Sequence, residues 1–310
     1  MAAGQHVAVA RGEDARAPAL ATAASLAAVL AVEAFAPAAF AAHAVAASLL
    51  AIMALGLPHG VLDIRAVRCA FGLGAAATAG VLLLYVALAA ATAALWFAAP
   101  VAALVAFLAI AAVHFAEDWE VRGLGPLAVA VPVAMFAAGA MRDRDAYDAI
   151  FTAMAGTDGA AIATDLLLVA APVAHGAALV AVTMMARAGK VWRALAATTS
   201  ILAMWLLPPV VGFALYFAVF HSPQHIREVL AVVTGRPRSL LAEAASTFLL
   251  ATGLIILFAA LVDDKSAFPA VGSAVFMVLF VLTVPHMIVP RIVERLVSSR
   301  PGALSAASAG

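Results

Sequence analysis

The sequence predicts an all-α fold, a polytopic integral membrane helix bundle with about 8–10 transmembrane helices. Three observations predict it. Of 310 residues, 66% are apolar and 11% charged, against roughly 45–50% and about 25% in a soluble domain. The mean hydropathy is +1.11, more apolar surface than a soluble globule can hide. No segment alternates with the two-residue period of a barrel strand, and helices satisfy their own backbone in lipid. These features exclude a soluble enzyme and a disordered chain. Formal net charge is zero, 17 basic against 17 acidic residues, so there is no basic field for nucleic acid. The single cysteine, Cys69, excludes an intramolecular disulfide and a thiolate cluster.

A spanning helix needs about 20 mostly apolar residues. Ten stretches qualify: 19–40, 44–64, 74–96, 99–117, 124–141, 164–186, 193–208, 210–232, 242–262 and 268–290. Pro208-Pro209 separates the seventh from the eighth, because proline removes a donor and clashes with the preceding turn. The alternative for that pair is one broken helix with a re-entrant piece. Residues 1–18, with Arg11, Glu13, Asp14 and Arg16, read as a disordered N-terminal arm. The first apolar run reads as a retained span and not as a signal peptide. Residues 19–290 are expected to form the transmembrane bundle that carries any site, and 291–310 a cytoplasmic tail. With the N-terminus inside, 14 of the 17 lysines and arginines fall on the inner side, as the positive-inside rule requires. The long outer loop, 142–163, is acidic. Ten spans put both termini in the cytoplasm.

Eight histidines are the chemical signal. His59 lies in GLPHGVLDI, His114 in VHFAEDWE, His221 and His225 in FHSPQHIRE, and His286 in VPHMIVP. On the predicted topology all five arrive at one depth, in the inner half of even-numbered helices. Polar side chains inside a bilayer are costly and mark a site, and several imidazoles at one depth suggest a metal. His221 and His225 are four apart and share a helix face. Single histidines from spans two and four, His59 and His114, would complete a four-nitrogen site suited to iron, zinc, copper or nickel. Asp63 follows His59 by four residues, and Glu117 and Asp118 follow His114 by three and four. They are candidate partners for the outer N–H of a ligating histidine, or interfacial charges that cap helix ends or pair with Arg65 and Arg122. His286 is a further candidate in that supporting shell, unless Pro285 and Pro290 merely distort the helix there. His175, mid-span, reads as a helix–helix hydrogen bond. Phe115, Trp119, Tyr216, Phe217 and Phe220 are candidates to line an apolar substrate channel, or to pack.

PHGVLD (58–63), HF (114–115), YF…FHSPQH (216–225) and PHM (285–287) together resemble the Brp/Blh family of bacterial and archaeal β-carotene 15,15′-dioxygenases. The motifs run from span two to span ten. The resemblance implies a multi-pass protein of the bacterial inner membrane that cleaves the central double bond of β-carotene with O2, giving two retinals for a rhodopsin. It implies His59, His114, His221 and His225 as the essential histidines and as ligands of a catalytic Fe2+. Ile64 stands where many relatives carry a further histidine. The substrate class suits the composition, since a C40 polyene partitions into hydrocarbon and can enter laterally from lipid.

Other classes predict different observations. A membrane desaturase or hydroxylase would use several histidine boxes and two irons, whereas this chain has one HxxxH, at 221–225. A transporter would exploit intramembrane acids such as Glu33. A carotenoid- or retinal-binding protein would hold pigment without consuming oxygen.

Overall fold

The computed structural model describes residues 15–56, 62–121, 123–233, 237–261 and 267–298. Every regular element among them is helical. Seven helices are long and apolar enough to cross a membrane, and two shorter apolar helices accompany them. The chain is an all-α polytopic membrane bundle.

The helices are α1 (Arg16–Phe35), α2 (Pro37–Ala51), α3 (Asp63–Phe71), α4 (Ala75–Ala98), α5 (Pro100–Ala116) and α6 (Ala130–Arg142). They continue with α7 (Arg144–Arg187), α8 (Val191–Leu206), α9 (Pro209–Leu215), α10 (Ser222–Val232), α11 (Pro237–Leu261) and α12 (Ala267–Ser298). Proline opens α2, α5 and α9 at their first turns, where its missing N–H costs nothing. The break expected at Pro208-Pro209 is present: α8 ends at Leu206, and Pro208 is extended. Short α3 ends on Gly72 at φ 60°, a left-handed cap that glycine adopts without strain.

Residues 142–163, expected as an outer loop, are helical instead. Asp143 caps the new helix by accepting the Ala146 N–H at 3.0 Å. The helix then breaks at Gly156, φ 75°. The acids that suggested a loop tie this arm to the longer part of α7. Arg144 bonds Asp165 at 2.8 Å and Asp148 at 3.3 Å, and the Thr164 hydroxyl donates to Asp148 at 2.6 Å.

His175 has the role expected of it. The Trp205 indole N–H donates to His175 Nε2 at 3.1 Å, so Nδ1 carries the proton facing Ala171 O at 2.8 Å. This joins α8 to α7. Helix α12 packs on α3, α4, α5, α7 and α11 and thereby places His286 in the middle of the bundle.

Two π-helical segments interrupt the α pattern, Ile52–Gly56 after α2 and Tyr216–His221 between α9 and α10. Single π turns of this kind recur at functional sites. Both lie beside histidine motifs.

Candidate metal centre

Four imidazoles converge from four helical segments. His114 sits in the last turn of α5, His221 closes the π segment, His225 lies one turn into α10, and His286 is on α12. His114, His221 and His286 are buried and His225 is half-buried. Ring centroids lie 4.9 Å apart for His114 and His221, and 5.1 Å for His114 and His286. They lie 4.8 Å apart for His225 and His286, and 6.4 Å for His221 and His225. The four rings form a circuit of neighbours at 4.8–6.4 Å. His59 lies outside the described residues.

Two carboxylates steer these rings. Asp118 Oδ2 faces His221 Nδ1 at 2.9 Å, and Asp63 Oδ2 faces His286 Nδ1 at 2.6 Å. An ionised carboxylate only accepts, so each Nδ1 donates its proton and the ring's lone pair moves to Nε2. This is the arrangement that orients a metal-binding histidine. The sequence had suggested each acid as a partner for the histidine one turn before it. The structure instead carries Asp118 across to His221 and Asp63 across to His286. A 3-10 turn over Glu117–Trp119 ends α5 and presents Asp118 to the π segment. Asp63 opens α3 and is nearly fully buried.

Glu117 accepts from Arg291 of α12. The ion pairing considered for it is thus made with a residue not foreseen. One donor atom from each of Asp63, His225 and His286 lies within 4.8 Å of the other two.

The imidazoles separate two spaces of opposite character. On one side is a cavity of about 550 Å³, walled almost wholly by apolar groups, onto which His114 and His286 open. Phe115 and Phe217 line it. Trp119, Tyr216 and Phe220 are fully buried and stack behind it, Trp119 on Phe220 at 4.9 Å. The cavity's outer lining includes Leu82, Val86 and Phe97 of α4 and Leu250 and Leu257 of α11, all exposed on the bundle surface. Phe97 and Phe258 stack at 5.8 Å where the two helices meet. On the other side is a polar pocket of about 20 Å³, walled by the rings of His114, His221 and His225 with Glu117, Asp118, Arg193, Gln224 and Glu228. That is room for a water or an ion.

The donor chemistry fits a divalent first-row metal. Imidazole nitrogen donors with carboxylates behind them suit iron, zinc, copper or nickel, and thiolates are absent from the cluster among the described residues.

Sequence reasoning gave His286 a supporting place beside the ligands, and its ring lies 5.1 Å from that of His114 and 4.8 Å from that of His225. The Tyr216 hydroxyl, foreseen only as a channel group, donates to Asp118 Oδ2 at 2.6 Å.

No solved structure matches this chain. The probable beta-carotene 15,15′-dioxygenase Blh of Halobacterium salinarum is 31% identical over 288 residues, covering 78% of this chain and 81% of that protein. The profile of the family described as Beta-carotene 15,15′-dioxygenase matches residues 50–294, a span that holds every histidine of the circuit. The chain therefore belongs to the β-carotene 15,15′-dioxygenase family.

Proposed function

We propose that this chain is a membrane-embedded, iron-dependent oxygenase that cleaves the central 15,15′ double bond of β-carotene with O2 to give two all-trans-retinal. One observation carries the reading: an apolar cavity open toward lipid runs up to a cluster of buried, carboxylate-supported imidazoles. His59, His114, His221 and His225 are the residues assigned to the iron. When bound there, ferrous iron supplies the activation of O2.

The remaining tasks belong to the protein. The openings among the side chains of α4 and α11 admit a polyene from the hydrocarbon core, where it is dissolved. Phe115 and Phe217, against His114 and His221 respectively, press on the chain beside the imidazoles. The length of apolar wall beyond them fixes which double bond stops there, the positional contribution that speeds a bound reaction. The overall change divides one O2 between two aldehydes and neither takes up nor releases a proton. No acid or base is required, which agrees with the carboxylates facing imidazoles and not the cavity. The cavity's dryness protects the reacting polyene from water.

The same reading places the protein in a bacterial inner membrane with both termini cytoplasmic, residues 1–18 as an arm and 291–310 as a tail, and its product available to a rhodopsin. Expression in a β-carotene-accumulating bacterium tests it. The expected result is loss of orange colour with retinal on the chromatogram. Retained colour with pigment co-purifying would favour a carotenoid-binding protein.

A further inference from the structure

We propose that His286 is itself a ligand of the iron, held in place by Asp63, so that α12 joins the ion's shell beside the histidines of α5 and α10. The inference rests on the iron reading above and extends it by one ligand that the sequence motifs assign to a supporting role.

Ring geometry is the first argument. A metal–imidazole bond of about 2.1 Å would place a ring centre about 3.2 Å from an ion, so neighbouring ligands at 90–109° would have centres about 4.5–5.2 Å apart. His286 lies 5.1 Å from His114 and 4.8 Å from His225. The assigned ligands His114 and His221 give 4.9 Å. His221 and His225, one turn apart on the same helix face, lie 6.4 Å apart with nearly parallel rings. His286 therefore meets the same standard as the residues already assigned.

The second argument is chemical. Asp63 occupies Nδ1 of His286 at 2.6 Å, which leaves Nε2 as the donor atom. His221 is set up in the same way by Asp118 at 2.9 Å. The two rings have equivalent carboxylate supports on separate helices. A buried His–Asp pair that merely joined α3 to α12 would need no third donor. Here a donor atom of His225 lies within 4.8 Å of one from each partner.

The test uses the full-length protein in detergent, loaded with ferrous iron. It compares wild type, His286→Gln, Asp63→Asn and His114→Ala. Iron per chain and competition against a chelator give the affinity, and X-ray absorption gives the number of imidazoles on the iron. His286→Gln is expected to weaken iron at least tenfold and to remove one imidazole from the count. Asp63→Asn is expected to weaken iron within the range of about 10–100-fold typical of an outer carboxylate. Full affinity with an unchanged imidazole count in His286→Gln overturns the proposal while leaving the iron reading standing. Should that variant aggregate, unchanged iron affinity in Asp63→Asn overturns it instead. If wild type holds no more iron than His114→Ala, the iron reading itself fails, and this ligand with it.

Discussion

Tyr216 and His221 reach the same oxygen, Asp118 Oδ2, at 2.6 and 2.9 Å although they are five residues apart. In an α-helix that separation would turn them away from each other. The π segment Tyr216–His221 widens the turn so that positions five apart share a face. The irregularity is thus what brings a hydroxyl and an imidazole to one carboxylate. It also carries His221 from the end of the motif into the circuit of rings.

Removing this carboxylate should loosen the metal before it disturbs the fold. Asp118→Asn keeps the volume but weakens the acceptor for His221 Nδ1–H. Iron affinity is expected to fall by about 10–100-fold. Tyr216→Phe removes one donor to the same oxygen, and a charge-assisted bond of about 1.5 kcal/mol corresponds to roughly tenfold. Iron content against chelator concentration checks both. Equal, full iron in the two variants would show that Asp118 does not act through His221.

Metal removal gives a second prediction. Chelation should abolish retinal formation, and ferrous iron should restore it, while the helical signal by circular dichroism stays constant. The bundle is held by helix packing remote from the circuit, such as the α7–α8 contact through His175 and Trp205. A parallel loss of helix on chelation would mean that the ion is structural. A count of two irons per chain would instead favour a desaturase-like centre.

The cavity makes a third. Ala93 of α4 lines it, and α4 reaches it from the lipid-facing side. Ala93→Trp places an indole in the path of the polyene. Turnover should fall at least tenfold with iron content unchanged, measured as retinal by chromatography beside iron per chain. Wild-type turnover in this variant would mean that the substrate reaches the imidazoles by another route.

What was readable in advance follows from what sequence encodes locally. Hydropathy over about 20 residues marks a spanning helix whatever surrounds it, and each of the ten stretches contains helix. Among the described residues, however, seven helices are long and apolar enough to cross and two more are shorter, while 210–232 is divided into α9, a π segment and α10. Pro208-Pro209 is a local veto on a helix and was equally visible. The 142–163 arm was misread because Asp143, Asp145, Asp148 and Asp158 look like loop residues. Only the fold shows Asp143 as a cap and Asp148 bonded to Thr164. The histidines were legible as a group, because buried imidazoles are rare in an apolar chain. Their partners were not. A carboxylate four residues on is the nearest in sequence, but Asp63 serves His286, 223 residues away. The π turn left no periodic signature, and HxxxH at 221–225 looks the same with or without it.

His175 supplies a control. Its hydrogen bonds to Trp205 and Ala171 account for both ring nitrogens. His175→Ala should leave iron content and turnover intact and lower stability by about 0.6–1.7 kcal/mol, the range found for such bonds between membrane helices. A thermal unfolding curve in detergent, read beside iron per chain, checks it. Lost iron would extend the metal centre to α7.

Gly139 links helix packing to the shape of the substrate space. A Cβ added there would lie 2.6 Å from Tyr147 Oη, 2.8 Å from Met204 Cε and 2.9 Å from Tyr147 Cε2. The methionine end can swing aside, but the tyrosine ring is buried and stiff. Both residues line the cavity. Gly139→Ala must therefore displace the Tyr147 ring, which lines the cavity, or the helices that hold it. Overpacking of this kind costs about 1–3 kcal/mol. The expected result is lower thermal stability together with reduced turnover at full iron content. Tyr147→Phe in the same background removes the 2.6 Å contact but leaves the ring, so it should recover part of the stability and less of the turnover. Independent, additive effects of the two substitutions would show that the glycine is not what holds this ring against the wall.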